Sequence, residues 1–149
     1  MPAPALPRTS ASAAAFCAAA VVVAVPIAWA VADAGYGIAT REPLRDLAVI
    51  ALWSIAEEIV FRGALQPAIA RRVDRAAWLG ITLANAVTSV LFAALHLWRH
   101  PPLVALFVFP VSLVYGKARE LSGRVWPAAL LHFTFNGLLY AASALRATA

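Results

Sequence analysis

Glu57, Glu58 and Arg62 sit in the stretch IAEEIVFRGAL, Ile55 to Leu65. The surrounding run is otherwise apolar for about twenty residues, long enough to cross a bilayer. On a helix Glu58 and Arg62, four apart, share a face, and an ion pair between them is the natural way to keep both charges in an apolar setting. Glu57 lies about 100° around the helix from Glu58 and about 140° from Arg62, which leaves it the less neutralised acid. Two further apolar segments carry polar groups at the same spacing: Phe92 and His96 in FAALH, and His132 and Asn136 in HFTFN. Amide hydrolysis needs a base to activate water, donors for the oxyanion and an acid for the leaving amine. Glu57, unpaired and desolvated, suits the carboxylate that takes a proton from water and returns it to the amine. His96 can hold that water with it. His132 and Asn136, stacked on one helix face, can both aim N–H donors at the developing oxyanion, each typically worth about 10² to 10³ in rate.

Each group also has a structural reading. Glu57, Glu58 and Arg62 could form one interior network that ties helices together. His96 could be an interfacial residue, and the His132/Asn136 pair interhelical glue worth about 1 kcal/mol. His100, beside Arg99 in the connecting loop, is assigned to such a role. Three helices each offering catalytic residue types point instead to a site.

These residues must be positioned by membrane helices. Of 149 residues 63% are hydrophobic and 13% charged, and the mean hydropathy is +0.81, well outside the balance of a soluble domain. The net charge of +5 does not indicate nucleic acid, because Lys and Arg are dispersed among short connections rather than gathered on a face. The single cysteine, Cys17, excludes a disulfide framework and a cysteine-based metal site. The expected fold is an all-α, polytopic membrane bundle in one domain over 1–149, its helices lying over Ala13 to Ala32, Leu47 to Ala70, Ala76 to Trp98, Pro102 to Gly116 and Val125 to Leu145. The fourth is short for a span, with Pro110 placed to kink it. Trp78 and Trp98 bracket the third about 30 Å apart and read as its interfacial anchors. The first has a second reading as a cleaved signal peptide, with Arg8 before the apolar run and Ala30-Val31-Ala32 before Asp33; its length favours a retained helix.

Orientation follows from the cations. Arg8, Arg71, Arg72, Arg75, Lys117, Arg119 and Arg124 share one side and outnumber Arg41, Arg45, Arg99 and Arg146 on the other. The positive-inside rule then favours an N-in, C-out arrangement.

The three motifs, Glu57-Glu58-x-x-x-Arg62, Phe92-x-x-x-His96 and His132-x-x-x-Asn136, resemble in order and spacing those of the CPBP intramembrane proteases. That group includes the CAAX prenyl endopeptidases and the bacteriocin-processing and immunity proteins. The resemblance covers roughly Leu47 to Leu145. It implies a helical membrane core that hydrolyses a peptide bond of a membrane-associated peptide or protein, with Glu57, His96, His132 and Asn136 catalytic, Glu58 and Arg62 as the supporting pair, and Phe92 packed beside the site. The chain keeps little beyond this core and is similar to small bacterial members that cleave C-terminal sorting or anchor segments. The expected partners are such a substrate and the lipid bilayer. The alternative is a non-proteolytic immunity or scaffold protein that uses the same polar cluster for binding.

A zinc version would use Glu57, His96 and His132 as ligands and leave a fourth position for water. Glu58 would then have to act as base while neutralising Arg62, and no HExxH is present. A cofactor-free glutamate mechanism is therefore favoured. Depth is less tidy. At about 1.5 Å per residue from the side of the 35–46 loop, Glu57 lies about 15 Å in, Asn136 about 13 Å and His132 about 19 Å, but His96 only about 3 Å from Trp98. Either the third helix tilts strongly, or it runs on toward His100, or its boundary lies elsewhere.

Overall fold

A computed structural model describes residues 10–35, 42–73, 77–78 and 80–147; Arg8, Arg41 and Arg75 of the charge count lie outside them. Helix α1 spans Ser10–Asp33 and α2 spans Pro43–Glu58. Pro43 stands in the first turn of α2, where its missing N–H is no loss and its fixed φ suits the helix. Without a break α2 passes into a π-helical segment, Ile59–Leu65, and then into α3, Gln66–Ala70, so that 43–70 is one rod. In the π segment the Gln66 N–H donates to the Phe61 carbonyl, five residues back. After the rod a two-residue antiparallel pair, β1 (Ala77–Trp78) with β2 (Ile81–Thr82), turns through Gly80 at φ 77°. Helix α4, Leu83–His96, starts at Thr82, whose hydroxyl accepts the Asn85 N–H at 3.1 Å. Helix α5, Pro102–Ser122, stops at Gly123, whose left-handed φ of 70° lets its N–H close on the Arg119 carbonyl. Helix α6 spans Trp126–Ala147.

Among the described residues the chain is thus five rods, as read from the apolar runs. Three of them, Ala11–Asp33, Pro102–Ser122 and Trp126–Ala147, are long and apolar enough to cross a membrane, and α4 is a shorter apolar helix. Two expected boundaries are corrected. The third rod begins at Leu83 rather than Ala76, so Trp78 lies on β1 and does not anchor a helix. Its 14 residues rise only about 21 Å. The fourth is not short, because most of GKARELSGR is helix. Its charges are engaged rather than looped out: Lys117 Nζ donates to the Gly80 carbonyl at 2.7 Å, Arg119 Nε to the Arg62 carbonyl at 3.2 Å, and Glu120 accepts from Gln66 and Thr82.

Alternation of direction is fixed by pairs of contacts. Asp33 pairs with Arg146 at one end of α1 and α6, while Ala13 and Trp126 border one groove at the other, so these two helices run parallel. His132 meets Glu58 and Asn136 meets Ser54, so α6 runs antiparallel to the rod. Thr82 and Asn85 meet Glu120 and Leu113, so α4 runs antiparallel to α5. Where α1 meets α5 and α6 the fill is a small apolar core of Tyr115, Ala118, Ala128 and Leu131, backed by Phe16, Cys17 and Ala20. Its alanines let the backbones approach closely. The usual distribution of polarity is inverted. Val22, Leu52, Trp53, Leu106 and Leu130 are exposed on the outside, while Ser54, Glu58, Arg62, Asn85, Thr88, Ser89 and Ser112 are sealed inside. That is the surface a bilayer requires.

Candidate active site

The interior polar groups form a ladder along the rod. Ser54, Glu58, Arg62 and Gln66 are all buried, at four-residue spacing. In a continuous α-helix each such step over-rotates by about 40°, which over three steps would carry Gln66 about 120° away from Ser54. The wider turn of the π segment rotates less per residue and takes out much of this drift, so all four face the interior. Each finds its partner on another helix. Ser54 Oγ accepts from Asn136 Nδ2 at 3.4 Å. Glu58 Oε1 accepts from Arg62 Nη1 at 3.1 Å and from His132 Nδ1 at 3.0 Å. Arg62 Nη2 donates to the carbonyl and hydroxyl of Ser112, and Gln66 Nε2 donates to Gly116 O at 3.3 Å and Glu120 at 3.1 Å.

Arg62 is the anchor of the ladder. Its side chain and that of Glu58 are 0% exposed. Its guanidinium lies 4.6 Å from the Phe92 ring centroid, 5.6 Å from Tyr115 and 5.9 Å from Phe61, so aromatic faces replace part of the hydration the cation gives up. Tyr115 in turn stacks on His132 at 4.8 Å and 19°, which holds that imidazole flat between α5 and the rod.

The two glutamates separate as their helical angles require. Glu58 is consumed by Arg62 and His132. The Glu57 side chain is 29% exposed, and its Oε2 stands 3.8 Å from His132 Nε2. With Nδ1–H donating to the Glu58 carboxylate, His132 presents Nε2 toward Glu57, so one imidazole touches both acids. Phe92, 1% exposed, packs between Arg62, His132 and His96, its ring centroid 5.8 Å from the first histidine and 4.7 Å from the second.

His96 is the last residue of α4, which answers the depth problem: the boundary lies at His96, and a turn follows it. Its Nδ1 lies 2.8 Å from the Phe92 carbonyl. A carbonyl only accepts, so Nδ1 carries a proton and Nε2 is the ring nitrogen left for other partners. Glu57, Glu58 and His132 are thus in direct contact, Asn136 joins through Ser54 one turn away, and His96 joins through Phe92. Among the described residues no three His, Cys, Asp or Glu side chains are grouped to hold a metal ion in this arrangement.

Several members were not read from the sequence. Ser54 and Gln66 could have been found by extending the Glu58/Arg62 spacing one step each way. Ser112 and Tyr115 gave no such signal, being single polar groups in an apolar run.

A family model described as Type II CAAX prenyl endopeptidase Rce1-like matches residues 39–138, a span that contains the whole ladder on the rod together with His96, His132 and Asn136. No curated protein and no solved structure matches the chain.

Proposed function

The chain belongs to the Rce1-like family of type II CAAX prenyl endopeptidases and is an intramembrane protease, and from that premise we propose that Glu57 is its general base. The observation that carries this is the asymmetry of the two acids. Glu58 is fully buried and bound by Arg62 and His132, whereas Glu57 is partly exposed and faces a histidine nitrogen at 3.8 Å. A carboxylate already bound by a guanidinium is a poor proton acceptor; one with no guanidinium against it is the better candidate.

In this reading Glu57 and His96 hold the attacking water, one O–H of which donates a hydrogen bond to His96 Nε2 and stays on the oxygen. Glu57 takes the other proton as the water oxygen adds to the substrate carbonyl. His132 and Asn136 donate to the oxyanion. Donation by His132 needs a proton on Nε2 as well as the one on Nδ1 that goes to the Glu58 carboxylate. Glu57 then returns its proton to the leaving amine. No step uses a metal. The substrate is a membrane-associated peptide, and the end of the bundle holding the start of α1 and the α5–α6 turn faces the cytoplasm.

The purified chain in proteoliposomes, offered a prenylated CAAX-type peptide and C-terminal anchor peptides beside its Glu57→Ala variant, tests this. Cleavage by the wild type alone is expected. Equal cleavage by both removes Glu57 from the mechanism.

A further inference from the structure

His96 has two ring neighbours. Its ring lies against Phe92 at 4.7 Å and 41°, and the His100 imidazole stacks on it at 5.8 Å between centroids and 22°. The turn that follows α4 makes this contact. The His100 N–H donates to the His96 carbonyl at 2.9 Å and the Arg99 N–H to the same oxygen at 3.2 Å, which folds the chain back so that residues four apart share a face beyond the helix end. The position is otherwise weak. A residue at a helix terminus lacks the further helical turns that steady a central one, and helix ends fray. His96 Nδ1 bonds the Phe92 carbonyl only while the ring keeps one rotamer and one tautomer.

We propose that His100 is a positioning residue that closes the open side of His96, so that the His96 ring stays on the Phe92 carbonyl and presents Nε2 to the reacting water. The proposal rests on His96 acting in the hydrolysis. Offset stacking of two flat rings at this separation suits neutral imidazoles. Burial, His96 and Arg99 together hold the His100 imidazole below the ordinary histidine value, with Glu57 opposing them, so that it is neutral at pH 7. Its role is steric and orientational: another flat ring serves, and an aliphatic group of similar bulk does not.

The experiment reads His96 directly. The chain has three histidines, so the imidazole ¹⁵N spectrum of histidine-labelled protein in lipid nanodiscs has few signals. His132, stacked on Tyr115 away from the turn, reports whether each variant is folded. In the wild type and in His100→Phe, His96 is expected as a single Nδ1–H tautomer. In His100→Ala and His100→Leu it is expected as a mixture, and kcat on a cleaved peptide falls about threefold to tenfold with KM unchanged. A His96 signal unchanged in His100→Ala and His100→Leu overturns the proposal, as does a His100→Phe variant as impaired as His100→Ala. If the wild type cleaves none of the peptides, the functional reading fails while the tautomer signal still decides whether His100 holds His96.

Discussion

Replacing Glu58 by glutamine leaves shape and volume almost unchanged and removes one charge from a pair in which both side chains are 0% exposed. The amide oxygen can still accept from Arg62 Nη1 or His132 Nδ1, so the loss is not of a hydrogen bond but of the counter-charge. Breaking a fully buried pair from one side costs about 3 to 5 kcal/mol. Arg62 keeps its two bonds to Ser112 and its aromatic faces, which places the expected value toward 3. For a chain of this size that corresponds to a fall in Tm of roughly 6 to 12 °C. The same change at Glu57 removes no such partner and is expected to shift stability by less than about 1 kcal/mol. Adding Arg62→Met to Glu58→Gln should return much of the loss, since the uncompensated cation is then gone. Thermal or denaturant unfolding of the four proteins in one detergent measures all of this. A Glu58→Gln variant as stable as wild type but inactive would show that the two acids are assigned the wrong way round.

Glu57→Gln should express and fold normally yet lose cleavage entirely, because the amide cannot accept a proton; turnover near wild type refutes the base assignment. His132→Ala should keep slow residual turnover through Asn136, with a loss of about 10² to 10³ in kcat, read in single-turnover assays. Chelated protein should retain activity and hold well under one zinc per chain. Activity that disappears with a strong chelator and returns with stoichiometric zinc sinks the metal-free scheme without touching the peptidase assignment. Gly116→Ala should destabilise the bundle by about 1 to 3 kcal/mol, since the added methyl would stand 1.9 Å from Asn85 Oδ1; a melting temperature equal to wild type contradicts the close approach of α4 and α5.

What the sequence made legible follows one rule. Wherever two polar residues of a site lie four apart on one helix, as Glu58/Arg62 and His132/Asn136 do, the pattern announces both the helix and the face, and the structure sets those faces against each other. Hydropathy likewise yields the number of rods, since apolar length is what a bilayer selects. It misplaces ends where polarity and structure part company. The apolar residues Ala77–Trp78 and Ile81–Thr82 pair as strands about Gly80, and Lys117 to Ser122 is polar yet helical because Gly80, Arg62, Gln66 and Thr82 meet its charges. The π segment was not legible at all. Nothing in IVFRGAL marks it, and its cause is the demand of partners on α5 and α6 for one straight polar edge.

That edge has a consequence for how the protein enters a membrane. α1, α5 and α6 carry enough apolar length to leave the translocon for lipid on their own. The rod does not. Glu58 and Arg62 each cost about 2.5 to 3.5 kcal/mol at mid-bilayer on an insertion scale, against about 0.3 to 0.6 returned by each large aliphatic residue, and Ser54 and Gln66 add to the debit. Apart from the Glu58–Arg62 pair itself, the groups that satisfy them, Ser112, Gly116, Glu120, His132 and Asn136, all lie later in the chain. During synthesis the rod is therefore emitted before its partners exist, and its lasting place in the bilayer waits on the last two helices. Truncation after α4 should leave the second rod exposed to quality-control proteases, and the residues of the candidate site become membrane-embedded only in a chain whose C-terminal third is already made.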